Sequence, residues 1–287
     1  TPALDPFPVF ATGLSSAAAC DRPILPTLSL PDFQPHRTIQ RAIGGSSGND
    51  IFGGSAIGEE FRGEAGSDVV LGLEGDDNLY GDADDDRLYG NLGSDVIHGG
   101  PGRDSLQGGR GDDRLWGGEE ADSLWGDRGA DVLSGDRGDD RLIGGTIDPG
   151  VIDASHDTLL GGEGNDQLFG QGGDDALVGG EGNDLCHGGQ GNDRLWGEGG
   201  DDWLAGDRGD DWLIGGAGRD TFVLDVREGL DTIGDFEPGA DRLTGVRFED
   251  VRLESVECDT VIWRGDRAIA RLLAVPASAV SAADFVA

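Results

Sequence analysis

A nine-residue period is the feature of this sequence that most restricts how the chain can fold. Written in rows of nine, the chain keeps one register over eleven rows in residues 45–143. It is interrupted at 144–151 and then continues for eight more rows in residues 152–223. The sixth position of these nineteen rows is Asp eighteen times and Glu59 once, and the eighth position is always apolar. A period of this length predicts a solenoid in which each row repeats one structural unit.

The composition excludes several classes of protein. The chain has 287 residues, with 57 acidic against 21 basic side chains and a net charge of −36. Phosphate groups would be repelled by such a chain, which excludes a nucleic-acid or anionic-membrane binder. No run reaches the ~18 apolar residues of a membrane span. The low hydrophobic share of 36% is typical of disorder, unless the acidic residues are arranged to hold cations.

The rows resemble a known repeat. Residues 108–116 read GGRGDDRLW, residues 188–196 read GGQGNDRLW and residues 206–214 read GDRGDDWLI. They are similar to the RTX (repeats-in-toxin) nonapeptide, GGxGxDxUx with U a large aliphatic residue, and the resemblance covers about 60% of the chain. It implies an all-β, right-handed parallel β-roll that binds calcium. Residues 219–243 look like the closing segment of such arrays, and residues 284–287 look like the acidic-then-apolar end of type I secretion substrates.

The residues themselves favour the same arrangement. Each row divides into a six-residue glycine-rich turn and a three-residue strand centred on the eighth position. Two rows then form one coil, and stacked coils place their strands ~4.8 Å apart. Sixth-position aspartates eighteen residues apart therefore meet on one edge, where bare carboxylates would repel each other. A calcium ion with carboxylate and carbonyl oxygen ligands removes that repulsion, and the absence of recurring His or Cys argues against zinc.

The predicted calcium ligands are the sixth-position carboxylates and the backbone of the turn glycines. The carboxylates are Asp50, Asp68, Asp77, Asp86, Asp95, Asp104, Asp113, Asp122, Asp131, Asp140, Asp157, Asp166, Asp175, Asp184, Asp193, Asp202, Asp211 and Asp220. The turn glycines are Gly66, Gly75, Gly93, Gly100, Gly102, Gly109, Gly111, Gly162, Gly164, Gly173, Gly180, Gly182, Gly189, Gly191, Gly200 and Gly209.

Some rows predict poor sites. Ile57, Asp84 and Glu120 replace the fourth-position glycine, and Glu59 replaces the aspartate. The row from residue 152 lacks both leading glycines. Discounting these rows predicts about ten to thirteen calcium ions, each with full oxygen coordination.

Four regions follow from the shifts in composition. We expect a Pro-rich linker at 1–43, a first β-roll block at 44–151, a second at 152–223, and a C-terminal cap with a secretion signal at 224–287. The three cysteines lie far apart and predict no disulfide framework.

Four smaller features have structural interpretations. Cys186 occupies an eighth position and predicts a buried core residue. Residues 264–266, Arg-Gly-Asp, predict a hairpin turn. The four histidines show no zinc-protease pattern. The tryptophans at seventh and ninth positions should face outward, where they either cover the sheets or bind a glycan or partner; they are Trp116, Trp125, Trp196, Trp203 and Trp212.

The sequence predicts a non-enzymatic calcium-binding module of a secreted, extracellular bacterial protein. The family resemblance implies export through a type I exporter and folding on external calcium. We find no catalytic constellation in this chain. The alternatives are the C-terminal tail of a secreted protease, lipase or polysaccharide-modifying enzyme with its catalytic domain upstream, or a calcium-dependent adhesin module whose partner is a polysaccharide.

Overall fold

Short strands make up almost all of the fold. The computed structural model describes residues 39, 41–146, 153–226 and 229–286. In chain order the strands are β1 (Arg41–Ser46), β2 (Ile51–Gly53), β3 (Glu59–Glu64), β4 (Val69–Glu74), β5 (Asn78–Tyr80), β6 (Arg87–Leu92), β7 (Val96–Pro101), β8 (Ser105–Arg110), β9 (Arg114–Glu119), β10 (Ser123–Arg128), β11 (Val132–Arg137), β12 (Arg141–Gly145), β13 (Thr158–Glu163), β14 (Gln167–Gly172), β15 (Ala176–Glu181), β16 (Leu185–Gln190), β17 (Arg194–Gly199), β18 (Trp203–Arg208), β19 (Trp212–Ala217), β20 (Thr221–Val223), β21 (Asp231–Ile233), β22 (Arg242–Thr244), β23 (Arg252–Val256), β24 (Asp259–Arg264) and β25 (Arg267–Leu272). Two 3-10 helices span Phe248–Asp250 and Ala282–Asp284.

The strands alternate between two sheets. The odd-numbered strands from β1 to β21 lie in order in a 14-stranded sheet that ends in β25, β24 and β23. The even-numbered strands from β2 to β22 form an 11-stranded sheet. Neighbouring repeat strands pair in parallel, so Ser105 lies beside Ser123 one coil later. The predicted parallel β-solenoid of nonapeptide repeats, with a β-rich C-terminal cap, is confirmed.

The strands are longer than the three residues that the row pattern predicts. Most span six residues, as in β8, which covers positions seven to nine of one row and one to three of the next. The pairing continues past the apolar centre, because Gly109 lies in register with Asp127 of the next coil. The turn is therefore reduced to positions four to six.

The core is a double column of eighth-position side chains between the two sheets. From Phe61 to Phe222 every one of them has no exposed surface. Cys186 lies in this column, fully buried and as a free thiol, which confirms its predicted place in the core. Phe52, in the first row, is only partly buried. The column of core side chains is thus fully buried from Phe61 to Phe222 and becomes partly exposed at the N-terminal end of the solenoid.

The interruption in the repeats does not interrupt the sheets. Val132 pairs with Thr158 and Arg141 with Gln167, both 26 residues apart, where other rows have a spacing of 18. Gly144 lies against the Asp157 carboxylate, as first-position glycines lie against the aspartate of their own row. Gly144 and Gly145 are therefore positions one and two of the row that ends at residue 160. The eight extra residues are 146–153, whereas the sequence places the break at 144–151.

The C-terminal cap is built from β21 to β25. Asp231 pairs with Ala270, and β25 continues antiparallel into β24 and β23. The predicted turn at 264–266 is confirmed, since Gly265 and Asp266 connect β24 to β25.

Cys258 is disulfide-bonded, in contrast to the expectation from the cysteine spacing. Among the residues described here, no helix is long and apolar enough to cross a membrane.

The outer faces of the sheets carry the tryptophans. Trp203 is 41% exposed, and the other four repeat tryptophans are partly exposed, as predicted. On the 14-stranded sheet the Trp116 ring stacks on His98 with centroids 4.5 Å apart, and His98 stacks on Tyr80 at 5.1 Å. The faces of these three rings therefore pack against one another on the outside of the sheet.

Candidate metal centres

The sixth-position carboxylates form two hydrogen-bonded columns along the solenoid. In each column, Oδ1 of one aspartate accepts a hydrogen bond from the backbone N–H of the acidic residue one coil earlier. One column leads into the 11-stranded sheet, with distances of 2.6–3.0 Å, and consists of Asp50, Asp68, Asp86, Asp104, Asp122, Asp140, Asp166, Asp184, Asp202 and Asp220. The other leads into the 14-stranded sheet, with distances of 2.7–2.9 Å, and consists of Glu59, Asp77, Asp95, Asp113, Asp131, Asp157, Asp175, Asp193 and Asp211.

The second carboxylate oxygen has no hydrogen-bond partner in most of these residues. Buried polar atoms are normally paired, because an unpaired one loses its solvation without compensation. Here Oδ2 is buried and accepts no hydrogen bond in Asp68, Asp77, Asp86, Asp95, Asp104, Asp113, Asp122, Asp131, Asp140, Asp157, Asp166, Asp175, Asp184, Asp193, Asp202 and Asp211. Sixteen orphaned oxygens of one kind, on two edges, indicate a common ligand that carries positive charge.

Two of the eighteen predicted aspartates and the one glutamate differ. Asp220 is buried, but its Oδ2 is not orphaned. Oδ2 of Asp50 accepts hydrogen bonds from the Ser46 N–H at 2.7 Å and the Ser46 hydroxyl at 2.9 Å. Oε2 of Glu59 likewise accepts from the Ser55 N–H at 2.6 Å. At the N-terminal end of the array, the chain itself therefore supplies partners for these carboxylates.

The first-position glycines allow the backbone to approach each orphaned oxygen closely. A Cβ built on Gly99, a first-position glycine, would collide with Oδ2 of Asp104 and lie 2.7 Å from the Gly117 carbonyl oxygen of the next coil. Glycine is needed there for close approach. At the second and fourth positions it is needed for conformation, as at Gly100 with φ +119° and Gly102 with φ +141°. All sixteen turn glycines named from the sequence have φ between +108° and +143°.

Burial raises the pKa of these carboxyl groups, because it disfavours their ionised form. Burial raises the pKa of Asp113 to about 8, although the hydrogen bond from Asp95 opposes the rise. It raises the pKa of Asp131 to about 10, with the charges of Asp113 and Asp157 adding to the effect. The carboxylate form is therefore destabilised until a proton or a cation compensates its charge.

The donor set suits a hard cation. Within the described part of the chain, no group of three or more His, Cys, Asp or Glu side chains converges as a metal cluster. Any ion in the columns would depend on one or two carboxylates and on backbone carbonyl oxygens. Calcium accepts such an all-oxygen set of six to eight ligands, whereas zinc prefers nitrogen and sulfur.

The columns extend two residues further than the repeats. Oδ1 of Asp231 accepts from the Asp211 N–H at 3.3 Å, and Oδ1 of Asp241 accepts from the Asp220 N–H at 3.1 Å. The nine-residue period does not predict either residue, because the spacings are 20 and 21 and not 18. The signal was present, since each is followed two positions later by an apolar residue, Ile233 or Leu243, as in the repeats.

A second ladder runs in the opposite direction and was also missed. Fifth-position side chains accept hydrogen bonds from the backbone of the following coil, whereas sixth-position aspartates accept from the preceding coil. Oδ1 of Asp174 accepts from the Asn192 N–H at 2.8 Å, and Oδ1 of Asn183 accepts from the Asp201 N–H at 2.7 Å. Nδ1 of His156 likewise accepts a hydrogen bond from the Asp174 N–H at 2.8 Å. Hydrogen bonds thus connect each turn to the preceding and the following coil without a metal ion.

Comparison with known proteins gives a family match and likenesses to solved structures. The family model of the RTX calcium-binding nonapeptide repeat matches residues 62–97, 89–124, 98–133, 116–146, 153–186 and 187–222, together more than half of the chain. No significant match is found among curated proteins.

The similar solved structures include two from bacterial enzymes. One is the solution structure of the AlgE6R3 subunit from the Azotobacter vinelandii mannuronan C5-epimerase, with 30% identity, 42% of this chain and 78% of that chain covered, and a TM-score of 0.33. The other is the crystal structure of the extracellular lipase LipA from Serratia marcescens, with 16% identity, 78% of this chain and 40% of that chain covered, and a TM-score of 0.18.

Proposed function

Because this chain belongs to the RTX calcium-binding nonapeptide repeat family, we propose that its two aspartate columns hold a row of calcium ions on each edge. The ligands are the sixteen orphaned Oδ2 atoms together with carbonyl oxygens of the turns that contain the sixteen positive-φ glycines. Calcium supplies the positive charge that the buried carboxylates lack. The proposed number of ions remains about ten to thirteen, with Asp50, Glu59 and Asp220 outside the best sites.

The single observation that carries this proposal is the repetition of the orphaned oxygen. An isolated unpaired carboxylate has many explanations, but sixteen in register require one that repeats with the fold. The Oδ1 hydrogen bonds fix each carboxylate, so that Oδ2 points towards the first-position glycine of its own row, as in Asp104 and Gly99. The site is therefore preorganised by the backbone.

Calcium would then decide whether the array folds. Residues 44–223 contain 41 acidic residues and 11 arginines, and folding buries many of those charges. Backbone ordering opposes folding by about 1–2 kcal/mol per residue, which one buried apolar side chain per row, at roughly 1.5–3 kcal/mol, does not offset. Binding free energy thus becomes folding free energy. Extracellular calcium modules bind at roughly 10⁻⁴–10⁻³ M, so folding would occur outside the cell.

The wider role that we propose is that of a module of a secreted bacterial protein, exported unfolded by a type I route and folded by external calcium. It has no catalytic part in this proposal. The family resemblance and the charge of the array support it.

Far-UV circular dichroism during a calcium titration tests the proposal. In excess chelator at pH 8 the purified chain is expected to lack β structure, and millimolar calcium is expected to induce it cooperatively, since each coil needs its neighbour. Magnesium at the same concentration is the control, and it should induce little β structure, because Mg²⁺ retains its waters. A β-rich spectrum in chelator that calcium leaves unchanged would overturn the switch.

A further inference from the structure

Two grooves on the outer face of the 11-stranded sheet have the same plan. The first, of about 650 Å³, is lined among others by Tyr89, Asn91, Gln107, Arg110, Asp127 and Arg128. The second, of about 360 Å³, is lined among others by Phe169, Gln171, His187, Gln190, Asp207 and Arg208. Each residue of the second list lies 80 positions after its counterpart in the first, and most pairs keep the same chemical type.

The offset of 80 follows from the architecture. Four coils of eighteen residues plus the eight-residue interruption give this spacing, so that the two grooves lie on the same face, four coils apart. At the ordinary spacing of paired strands this is roughly 19 Å along the solenoid. The pattern is not a consequence of the calcium repeat, because its side chains stand at positions nine, two and three, which face outward. The repeat leaves positions three and nine free to vary, whereas at position two Asp127 and Asp207 replace the consensus glycine.

Both grooves contain a hydrogen-bonded pair at equivalent positions. Nε2 of Gln107 donates to Oδ2 of Asp127, and Nδ1 of His187 lies 3.0 Å from Oδ2 of Asp207. In each case a ninth-position side chain holds the second-position aspartate of the next coil. The aspartate is therefore fixed in place at the groove and presents a carboxylate as an acceptor.

An arginine follows the aspartate in both grooves. Arg128 and Arg208 form no ion pair with any described residue. The same tripeptide, Gly-Asp-Arg, occurs on the opposite face, where Arg137 contacts Glu119 at 3.8 Å and Glu163 at 3.6 Å. Free guanidinium groups in a chain with a net charge of −36 are available for an external ligand.

We propose that the two grooves bind sugar units of one uncharged linear polysaccharide that runs along the 11-stranded face. Arginine and amide groups donate hydrogen bonds while the aspartate accepts them, and hydroxyl groups satisfy both. A polyanion would face the fixed carboxylates of Asp127 and Asp207, besides the overall negative charge. The side chains of Tyr89 and Phe169 supply an apolar wall. Two similar sites at a fixed distance suit a ligand that itself repeats.

Native gel electrophoresis in gels that contain a polysaccharide tests this, with the calcium-loaded full chain. The neutral polymers are a β-glucan, a xylan and a mannan, and the polyanion is hyaluronate. At least one neutral polymer should retard the chain. Arg128→Gln or Arg208→Gln should each weaken retardation several-fold, and the double variant should weaken it on the order of tenfold or more, because the two sites act together.

Arg137→Gln is the matched control, since it alters the same tripeptide on the other face and should leave retardation unchanged. The calcium-induced circular dichroism change is recorded for every variant, which separates a failure of binding from a failure of calcium-dependent folding. Retardation by no neutral polymer, retardation by hyaluronate alone, or equal effects of Arg137→Gln and the double variant would each overturn the proposal.

Discussion

Oδ1 of Asp157 accepts a hydrogen bond from the backbone N–H of Asp131 at 2.9 Å, although 26 residues separate them. The distance matches that of neighbouring bonds in the column, which join residues 18 apart, such as Asp113 to Asp131 at 2.8 Å. The aspartate column therefore passes the interruption with its geometry unchanged. The column thus accommodates the eight extra residues, and one of them, Asp153, accepts a hydrogen bond from the Gly129 N–H at 3.1 Å.

The first prediction is that residues 146–153 are dispensable. Their removal joins Gly145 to Ala154 and creates the row GGASHDTLL, which keeps Gly144 against Asp157 and restores the spacing of 18. We expect the calcium-loaded melting temperature to change by only a few degrees. The matched control deletes eight residues from an uninterrupted part of the array, 128–135, and should abolish the cooperative calcium transition. An equal loss in both deletions would contradict this placement of the interruption.

The structural features that follow from the nine-residue period are predicted correctly from the sequence. The parallel solenoid, the two aspartate edges and the buried eighth position all follow from it, because one unit repeats with its neighbours. Prediction from the sequence fails where the contacts depend on the number of residues between two positions and not on the type of residue. The interruption is misplaced by two residues because Gly144 and Gly145 can be read as either the break or a row, and Asp231 and Asp241 are missed because the spacing in the cap changes. The paired grooves become visible only when the length of the interruption is known.

The second prediction concerns the two roles of a buried carboxylate. Asp104→Asn keeps the oxygen that accepts from the Asp86 N–H but removes the charge. Because burial raises the pKa of Asp104 to about 6, the neutral amide should stabilise the calcium-free fold at pH 8. It should destabilise the calcium-loaded fold by roughly 3–5 kcal/mol, the range for removing one partner of a buried charge pair.

Thermal melts with calcium measure the loss of stability in Asp104→Asn, and circular dichroism in chelator at pH 8 measures whether its content of β structure exceeds that of the unsubstituted chain. Asp50→Asn is the control at the end of the array, where Ser46 already bonds the carboxylate, and both of its shifts should be small. A loss of calcium-loaded stability at Asp50 equal to that at Asp104 would contradict the role of the orphaned oxygens.

The third prediction is a stabilising substitution. Leu73 has φ +79° and a 43% exposed side chain, and a left-handed conformation costs a side-chain-bearing residue about 1–2 kcal/mol. Leu73→Gly removes that strain and should raise the calcium-loaded stability by about 0.5–1 kcal/mol after the entropy of glycine is subtracted. Leu92 is equally exposed at 42% but lacks a positive φ, so Leu92→Gly should be destabilising. Denaturant unfolding of both variants would show opposite signs, and equal signs would contradict the argument.

The fourth prediction concerns export. If residues 248–287 contain the secretion signal, a chain that ends at Arg247 should remain inside a cell that carries a type I exporter. The aspartate columns before Val223 lie outside the deletion, so purified truncated chain should still respond to calcium by circular dichroism. The full chain in the same cells is the control. Normal export of the truncated chain would remove the assignment of the signal to these residues.

The last prediction is a pH dependence whose sign reverses when calcium is added. In the calcium-free fold, burial raises the pKa of Asp122 and Asp193 to about 8 and that of Asp131 to about 10, from an ordinary value of 3.8. The folded state then binds more protons than the unfolded one, so the contribution of these groups to stability is fully present below pH 3.8 and is lost as the pH rises towards 8–10.

Lowering the pH from 8.5 to 5.5 in chelator should therefore increase β structure. In the presence of calcium, protons compete for the same carboxylates, and the calcium concentration at the midpoint of folding should rise over the same interval. Circular dichroism at the two pH values, with and without calcium, measures both effects. A calcium-free chain that gains structure as the pH rises would contradict the burial of unpaired carboxylates in these columns.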